Sequence, residues 1–504
     1  MTTTIEERPP TEATQSAPLL RNFIGGKWTP ARTNAAPGEP PRTLPVPNPA
    51  TEELLAHVPL SGADDVDQAV RAARDAFPEW AETPVTERVR YLHAFRAALL
   101  DQGDALIRQI TIENGKIYSD AAGEFRRAIE VVDFAIGMPT LIAGYNVPQV
   151  SRGIDTMMER YPVGVATAIT PFNFPFMVPF WTLPIAIAAG NTFILKPSER
   201  TPLSAIRIAE TFEQIGLPEG VFNLVLGAQD AVQGLLNHPD VDAVSFVGSA
   251  KVARIVYETA ARHGKRVQAL GGAKNHLIVM PDAVVKPTVE SLTESAFGNA
   301  GQRCLAGSVM TVVGKAEETI LPPMIDRAAS LKLGFGLDEG VDVGPVIRAD
   351  SRDRILGYVE QEVARGARLL RDGRTDVPEK GFFIGPTLME IDADSPTAGI
   401  ELFGPVLSVL HASDVDDAIR LAAMTNEYGN AASIYTSSGH AARQFRRYMP
   451  AGMLGINIGV PAPVAFFPFS GQRGSFFGDL HVTGHDGVEF FTRKKTTTTR
   501  WFQD

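Results

Sequence analysis

The sequence predicts an α/β protein with two α/β domains and a small β flap. From residue 161, short apolar strands such as 243–249 alternate with amphipathic helices such as 201–216. This alternation is typical of a parallel sheet with helices on both faces. A second alternating block begins at residue 276, and the tail at 487–501 alternates aromatic residues with threonine and lysine, as an edge strand does.

The segments before this alternation are predicted in chain order. Residues 1–19 are polar and rich in proline and threonine, so we expect a disordered arm. Residues 22–28 (NFIGGKW) are typical of a strand, a Gly-Gly turn and a second strand. A proline-rich surface loop is predicted at 35–53, and apolar residues then recur at helical spacing to about residue 137. We expect the C-terminal strand to form an oligomerisation flap with residues 155–164.

The composition of the 504-residue chain excludes several classes of protein. A formal net charge of −11 argues against nucleic acid as the main partner, because that partner requires a basic face. A single cysteine excludes an internal disulfide framework and a multi-cysteine metal site. The N-terminus lacks the features of a secretory signal, and the longest apolar run, 176–190, is too short to cross a bilayer. We therefore expect a soluble, cytoplasmic protein without a nucleic-acid or membrane partner.

The lone cysteine, Cys304, lies in the segment GNAGQRCLAGS. A lone cysteine is usually a small buried hydrophobic residue. Here it follows Arg303, whose positive charge favours a thiolate with a lowered pKa, in a run of small residues that is typical of an approachable loop or helix start. A covalent nucleophile and a buried packing residue both remain open on local chemistry.

A second unusual stretch is ITPFNFPF at 169–176, where Asn173 follows directly on a predicted strand. Ligands gather at the carboxyl ends of parallel strands, so a functional site is expected here. The Asn173 amide could donate a hydrogen bond to an oxyanion, or it could satisfy the backbone of its own turn.

Three further motifs are weak signals when each is taken alone. In LKPSER, Lys196 and Glu199 could bind the two hydroxyls of a ribose or form a solvated ion pair. In SFVGSAKVA, Gly248 and Ser249 lead from a strand into a helix start that suits phosphate oxygens, although the segment is not a GxGxxG motif. In ELFGPV, Glu401 precedes a Gly-Pro turn and could belong to an ordinary loop.

Two arginines and two histidines complete the candidates. Arg126 and Arg127 lie on a predicted helix, where such a pair usually forms a solvated face, but one of them could bind a substrate carboxylate in a bidentate manner. His481 and His485 are four residues apart in a predicted loop, and the sequence offers no evident third ligand. We therefore expect no metal site.

Together and in this order, the motifs resemble those of the aldehyde dehydrogenase superfamily from about residue 20 to the C-terminus. Within it, the chain is most similar to the CoA-acylating methylmalonate-semialdehyde dehydrogenase branch. The segments that carry the resemblance are Phe172-Asn173, Lys196-Pro197-Ser198-Glu199, Gly248-Ser249, Gly301-Gln302-Arg303-Cys304 and Glu401-Leu402-Phe403-Gly404-Pro405. The resemblance implies an aldehyde dehydrogenase-like α/β fold and a homo-oligomer, either dimer or tetramer. It implies a Rossmann-type NAD-binding domain at 20–144 and 165–275, a catalytic domain at 276–486, and an oligomerisation flap at 145–164 and 487–504.

The resemblance also implies roles for individual residues. Cys304 is expected to attack an aldehyde while Asn173 and the Cys304 backbone amide hold the oxyanion. A glutamate at position 199 opposes a 2′-phosphate, so NAD is expected rather than NADP. The other residues implied to contact the cofactor are Thr170, Phe172, Lys196, Arg200, Gly248, Ser249, Gly271, Glu401 and Phe403. Those implied to bind a substrate carboxylate are Arg303 and Arg127, with Arg126 as the lesser candidate.

One departure from the hydrolytic members of the superfamily bears on the product. Those members carry a Glu-Leu-Gly-Gly-Lys segment whose glutamate activates water, whereas this chain has QALGGAKNH at 268–276, with Ala269 or Leu270 in that place. Without that base, water is expected to deacylate the enzyme poorly, and coenzyme A is the expected acceptor. The branch then yields propionyl-CoA from methylmalonate semialdehyde, or acetyl-CoA from malonate semialdehyde, with loss of the carboxylate. Two alternatives are a hydrolytic dehydrogenase that recruits another base and a non-catalytic scaffold protein.

Overall fold

The computed structural model describes residues 17–32 and 41–502, and two long sheets dominate this part of the chain. Its strands are β1 (Asn22–Ile24), β2 (Lys27–Thr29), β3 (Thr43–Pro47), β4 (Leu54–Pro59), β5 (Tyr145–Ser151), β6 (Ile154–Pro162), β7 (Val165–Ile169), β8 (Thr192–Lys196), β9 (Phe222–Leu224), β10 (Ala243–Val247), β11 (Arg266–Leu270), β12 (Asn275–Val279), β13 (Gly307–Val313), β14 (Arg368–Arg371), β15 (Thr387–Glu390), β16 (Val406–Ala412), β17 (Tyr428–Gly429), β18 (Ala431–Tyr435), β19 (Met453–Ile456), β20 (Gln472–Arg473), β21 (Phe476–Phe477) and β22 (Thr492–Arg500).

Helices connect most of these strands. They are α1 (Ala63–Glu82), α2 (Val85–Asp101), α3 (Gly103–Asn114), α4 (Tyr118–Ile136), α5 (Met138–Leu141), α6 (Met177–Phe180), α7 (Leu183–Ala188), α8 (Leu203–Gln214), α9 (Gln229–Asn237), α10 (Ala250–Arg262), α11 (Val285–Phe297), α12 (Ala316–Ala329), α13 (Ala349–Ala364), α14 (Pro396–Gly399), α15 (Val415–Thr425), α16 (Gly439–Tyr448) and α17 (Gly484–Phe490). A short 3₁₀ turn spans Gly298–Gly301.

The first sheet has eight strands in the order β2-β1-β9-β8-β7-β10-β11-β21. Strands β9, β8, β7, β10 and β11 are parallel, and antiparallel strands close both edges. Every residue of β7 and β8 is buried, because apolar clusters cover both faces of the sheet. The predicted alternation of strands and helices in this region is therefore confirmed.

The strand order of this sheet reverses beside β7. The chain runs outward from β7 through β8 to β9 and then returns to the other side of β7 as β10. In open α/β sheets, ligands bind in the crevice at the carboxyl ends of the two strands that flank such a reversal. The loops that leave β7 and β10 carry Asn173 and Ser249 respectively, so the topology brings these two predicted motifs to one crevice.

The second sheet has seven strands in the order β14-β15-β16-β13-β12-β18-β19. All adjacent strands in this sheet are parallel except the edge pair β14–β15, which is antiparallel. Strand β12 leads through α11 and the 3₁₀ turn to the loop that holds Cys304, and the chain then enters β13. Cys304 thus precedes a central strand of this second sheet.

The third feature is an antiparallel sheet in the order β22-β6-β5. Strand β22 pairs with β6 along its whole length, from Thr492 opposite Pro162 to Arg500 opposite Ile154. The sequence predicted a strand at 487–501, but α17 extends to Phe490, so the start of that prediction is wrong. The reason is burial: Gly484, Gly487, Val488 and Phe491 are buried at helical spacing, so a helix presents them together to the core.

The proline-rich segment also differs from its prediction as a loop. Strand β3 occupies part of it and pairs with β4 in an antiparallel hairpin. Val46 is fully buried, and this apolar contact together with the ladder hydrogen bonds offsets the high proline content. Residues 33–40, and residues 1–16 of the predicted arm, lie outside the described residues.

Candidate active site

Cys304 follows a turn whose backbone is held in an uncommon conformation. Asn299, Ala300 and Gly301 have φ angles of 51°, 50° and 70°, all in the left-handed region. A non-glycine residue in this region costs about 1–3 kcal/mol and persists only where its surroundings hold it. At Gly301 even a Cβ atom is excluded, because it would lie 2.1 Å from the carbonyl oxygen of Gly404. The turn is therefore packed directly against the segment that begins with Glu401.

Two asparagines fix the backbone of the cysteine itself. The side-chain amides of Asn275 and Asn430 donate to the carbonyl oxygen of Cys304 at 2.9 and 2.8 Å. Asn275 also donates to the carbonyl oxygen of Ala306 at 2.8 Å. These hydrogen bonds connect the loop to β12 and to the start of β18, so the second sheet determines where the sulfur lies.

Cys304 lies where two cavities meet. The larger cavity, of about 470 Å³, is lined mainly by loops that flank the two sheets, and its lining includes Asn173, Ser249 and Glu401. The smaller cavity, of about 80 Å³, is mostly apolar and includes Arg127 and Arg303 in its lining. A reactant bound at the sulfur can therefore be reached from two sides.

The pKa of the thiol differs from the expectation drawn from Arg303. Cys304 has intermediate exposure to the cavities, yet it lies deep among protein atoms, and burial raises its pKa to about 12. The carboxylate of Glu401 raises this pKa further, and the charge of Arg303 opposes it only weakly. One reason is that Arg303 forms an ion pair with Asp120 at 2.7 Å. The expectation of a lowered thiol pKa is therefore wrong for this structure.

Asn173 lies beside the cysteine loop, as an oxyanion donor must. It is buried, and its side-chain nitrogen donates to the carbonyl oxygen of Gln302 at 2.9 Å. An amide NH₂ group has two hydrogens, so one remains for another acceptor in the larger cavity. The structure thus brings Asn173 and Cys304 together although 131 positions separate them in the sequence.

Two of the three candidate arginines reach the smaller cavity. Arg303 is mostly buried, whereas Arg127 is 40 % exposed and pairs with Glu130 at 2.8 Å. Arg126 is exposed and lines neither cavity. The rotation of α4 therefore selects Arg127 over its neighbour.

Several predicted cofactor residues surround the larger cavity. Gly248, Ser249 and Gly271 line it. Ser249 precedes α10 and makes no capping hydrogen bond with its side chain, so the N-terminus of this helix is open to the cavity. Phe172 and Phe403 line it as well, with their ring centroids 5.8 Å apart and their planes nearly perpendicular.

Four other predicted cofactor residues lie at the carboxyl ends of β7 and β8 and do not line the larger cavity: Thr170, Lys196, Glu199 and Arg200. The Lys196 ammonium is buried and lies 3.5 Å from the carboxylate of Glu199, which also contacts Arg200 at 3.6 Å. Burial lowers the pKa of Lys196. Thr170 is buried, and its hydroxyl oxygen has no hydrogen-bond partner among the described residues.

Glu401 supplies a carboxylate to the larger cavity. Among the described residues that line the larger cavity it is the only carboxylate, and it accepts a hydrogen bond from the backbone of Ala273 at 3.0 Å. Burial raises its pKa to about 7. The positions that correspond to the absent glutamate, Ala269 and Leu270, are both buried in apolar clusters.

Three polar residues beside this site were not predicted from the sequence, and two of them, Lys116 and Glu124, are fully buried. Lys116 and Glu124 contact the loop of Asn173, and Asp120 contacts the loop of Cys304. The only signal was the spacing of two acidic residues, Asp120 and Glu124, which places them on one face of a helix. That signal does not indicate what the face contacts.

His481 and His485 lie outside the lining of the two cavities around Cys304. His481 contacts the carboxylate of Asp486 and the carbonyl oxygen of Gly471, each at 3.1 Å, and His485 lies in α17. Across residues 17–32 and 41–502, no group of three metal-ligating side chains is present. None of the helices in these ranges combines the length and apolar character of a membrane span.

The chain is similar over nearly its whole length to known semialdehyde dehydrogenases. The malonate-semialdehyde dehydrogenase 2 of Geobacillus kaustophilus is 51 % identical over 491 residues, which cover 97 % of this chain and 100 % of the relative. The crystal structure of a methylmalonate-semialdehyde dehydrogenase from Oceanimonas doudoroffii matches with a TM-score of 0.93 and 44 % identity, covering 96 % of this chain and 99 % of the other. A Sinorhizobium meliloti protein assigned to the same activity, crystallised with NAD, matches with a TM-score of 0.94 and 40 % identity, covering 97 % and 99 % of the two chains.

The family comparison covers nearly the whole chain. The model of the aldehyde dehydrogenase family matches residues 36–497. The resemblance and the fold predicted from the motifs are thereby confirmed. The chain is an enzyme that belongs to the aldehyde dehydrogenase family.

Proposed function

We propose that this enzyme oxidises methylmalonate semialdehyde and malonate semialdehyde with NAD and transfers the acyl group to coenzyme A. The observation that carries the proposal is the position of Cys304 between a small cavity with two arginines and a large cavity with an open helix N-terminus. The names of the relatives, malonate- and methylmalonate-semialdehyde dehydrogenases, support the substrate class.

The smaller cavity suits a short aldehyde that carries a carboxylate. Arginine binds carboxylates in a bidentate manner, and Arg127 and Arg303 both line this cavity beside the sulfur. The rest of its wall is mostly apolar and includes Trp181 and Phe469, which accommodate the carbon chain. The arginines would hold the carboxylate while the aldehyde carbon lies at Cys304.

The larger cavity suits NAD. The N-terminus of α10 offers backbone N–H groups to a pyrophosphate, and the Lys196–Glu199 pair offers a donor and an acceptor to ribose hydroxyls. The carboxylate of Glu401 is a further hydrogen-bonding group in this cavity. When bound, NAD supplies the acceptor for the hydride that leaves the aldehyde carbon.

The chemistry of the chain centres on the sulfur. Cys304 loses its proton to solvent, and its thiolate forms a bond to the aldehyde carbon while the electron pair of the carbonyl moves to oxygen. The Asn173 amide and the Cys304 backbone N–H then donate to that oxyanion, a type of contact typically worth about 10²–10³ in rate. Loss of hydride leaves a thioester on Cys304. The thiolate of coenzyme A attacks this thioester and releases Cys304 as a thiolate. The substrate carboxylate leaves as CO₂, which water converts to bicarbonate, and the electron pair of the broken C–C bond remains as an enolate that takes up a proton from water.

A product assay tests the proposal. The purified enzyme is incubated with NAD and either semialdehyde, with and without coenzyme A, and the products are identified by mass. We expect propionyl-CoA or acetyl-CoA, with NADH formation strongly stimulated by coenzyme A, and no product from Cys304→Ala. An equal rate of NADH formation without coenzyme A would contradict the proposal.

A hydrolytic reaction that releases a free acid is the second candidate, and Glu401 is the observation that favours it. Its carboxyl group lines the cavity of Cys304, and its pKa of about 7 suits a general base at neutral pH. A free acid as the main product in the presence of coenzyme A, lost in Glu401→Gln, would establish this alternative. The acyl-CoA assay above separates the two reactions.

We also propose that the three-stranded sheet is an oligomerisation flap, in a dimer or a tetramer. Its strands carry exposed apolar side chains, including Tyr145, Val147 and Met157, which a partner subunit would cover. Light scattering on the intact protein measures the assembly. We expect Met157→Glu to dissociate it, whereas a monomeric wild-type enzyme would contradict the assignment.

A further inference from the structure

We propose that a buried ion pair between Lys116 and Glu124 positions Asn173 for catalysis. Neither residue lines the cavities around Cys304, so both are positioning residues that act through Asn173. The inference rests on the proposed role of Asn173 as an oxyanion donor.

The pair contacts both ends of the loop that carries Asn173. The Lys116 ammonium contacts the Glu124 carboxylate at 2.5 Å and donates to the carbonyl oxygen of Asn173 at 2.8 Å. It also lies 4.1 Å from the centre of the Phe174 ring. The other carboxylate oxygen of Glu124 accepts hydrogen bonds from the backbone N–H groups of Phe176 and Met177, at 2.8 and 3.0 Å. The loop is therefore held at residue 173 and again at the start of α6.

Helix α4, which carries Glu124, also contacts the loop that carries Cys304. Asp120 lies one turn before Glu124 on α4, accepts from the backbone N–H of Asn299 at 2.9 Å and pairs with Arg303. The side chain of Asn299 in turn donates to the carbonyl oxygen of Asn173 at 3.3 Å. Helix α4 thus sets the distance between the side-chain amide of Asn173 and the sulfur of Cys304.

The burial of the pair indicates a geometric role. Both side chains are fully buried, and two charges removed from water gain little net stability over apolar residues of the same size. Such a pair provides a fixed geometry, because each donor of the ammonium and each oxygen of the carboxylate must face a hydrogen-bond partner. Catalysis depends on that geometry, because a displacement of about 1 Å in a catalytic group costs up to about 10²-fold in rate.

A double-mutant cycle tests the inference. The variant Lys116→Met/Glu124→Gln removes both charges and is made in the wild-type and in the Asn173→Ala background. The rate of the first NADH burst, which reports acylation of Cys304, is measured in each. We expect a loss of about 10- to 100-fold in the wild-type background with little change in KM, and less than about a twofold further loss in the Asn173→Ala background.

The matched control is Glu113→Gln. Glu113 is also fully buried. Its carboxylate accepts hydrogen bonds of 2.8 Å from the backbone N–H groups of Leu203 and Ser204, at the start of α8. We expect this variant to lower the melting temperature without lowering the burst rate. Should the charge-free variant fail to fold, Glu124→Gln alone gives the same cycle, because its amide oxygen still accepts from the backbone at Phe176.

The outcomes separate the inference from the function on which it rests. If the charge-free substitutions lower the burst rate by the same factor in the wild-type and the Asn173→Ala backgrounds, the positioning role is overturned. A wild-type burst rate in the charge-free variant overturns it as well. A wild-type burst rate in Asn173→Ala alone overturns the oxyanion role and the inference with it. Acyl-CoA formation by the wild-type enzyme is measured separately and does not depend on either result.

Discussion

Replacing Glu401 by glutamine tests the electrostatic environment of the nucleophile. Burial is the main reason why the pKa of Cys304 rises to about 12, and the Glu401 carboxylate is the next. At pH 8 such a thiol is ionised to about 10⁻⁴, against about one quarter for a free cysteine with a pKa of about 8.5. A more basic thiolate is also more nucleophilic, which increases its rate of alkylation by a factor of about 40 and partly offsets its low population. The NAD-free enzyme should therefore be alkylated about 60-fold more slowly than free cysteine at that pH.

The assay is alkylation of the NAD-free enzyme by iodoacetamide between about pH 6 and pH 10, followed by intact mass. We expect the logarithm of the wild-type rate to rise by about one per pH unit without reaching a plateau. Glu401→Gln removes a charge that disfavours the thiolate, so alkylation becomes faster. This gain is confined to pH values above about 7, because below the pKa of Glu401 its carboxyl group is already neutral.

Glu130→Gln is the matched control, since it removes a carboxylate from the smaller cavity whose charge Arg127 already balances. Its alkylation profile should follow that of the wild type. An inflection below about pH 9 in the NAD-free wild-type enzyme would refute the reasoning. So would a Glu401→Gln enzyme that is alkylated no faster than the wild type above pH 7.

Three further changes have expected outcomes. The hydrogen bond from Arg160 lowers the pKa of Glu489 to about 2. This partly exposed carboxylate therefore contributes about 1–2 kcal/mol of stability above its unfolded pKa of about 4.3, and the contribution is lost as the pH falls towards 2. Urea unfolding at several pH values should show that Glu489→Gln removes this acid-dependent contribution. Glu130→Gln should free Arg127 from its exposed ion pair and lower KM for a semialdehyde by up to about fivefold, with no change for propionaldehyde. Phe95→Ala should cost about 3–5 kcal/mol in urea unfolding, since Phe95 is fully buried and stacks on two other phenylalanine rings.

Each of these expectations has a contrary result. Equal acid sensitivity of Glu489→Gln and the wild type would show that the contact with Arg160 does not stabilise the fold. A parallel decrease in KM for the charged and the neutral aldehyde would show that Glu130 does not act through the substrate carboxylate. A loss below about 1 kcal/mol for Phe95→Ala would show that the core relaxes into the space the ring leaves.

Local patterns in the sequence were sufficient where a continuous apolar run identifies the type of element. The strands at β7, β8 and β10 were predictable because continuous apolar runs between helices indicate a parallel sheet covered on both faces. The start of the C-terminal strand was not, because Val488 and Phe490 alternate as in a strand while the core accommodates them on a helix. The hairpin strand β3 was missed for a related reason, since its proline content indicated a loop and its pairing partner β4 begins only after a turn.

The sequence by itself determined the chemical groups of the site: one thiol, an asparagine after a strand, and no carboxylate at positions 269 and 270. Tertiary structure alone decided how those groups behave. The pKa of Cys304 depends on burial and on Glu401, which lies 97 positions away, and the Asn173 loop depends on Glu124 of α4, 52 positions before the residue it contacts. Such properties arise from the distance and solvation of groups that chain folding brings together, and no local pattern records them.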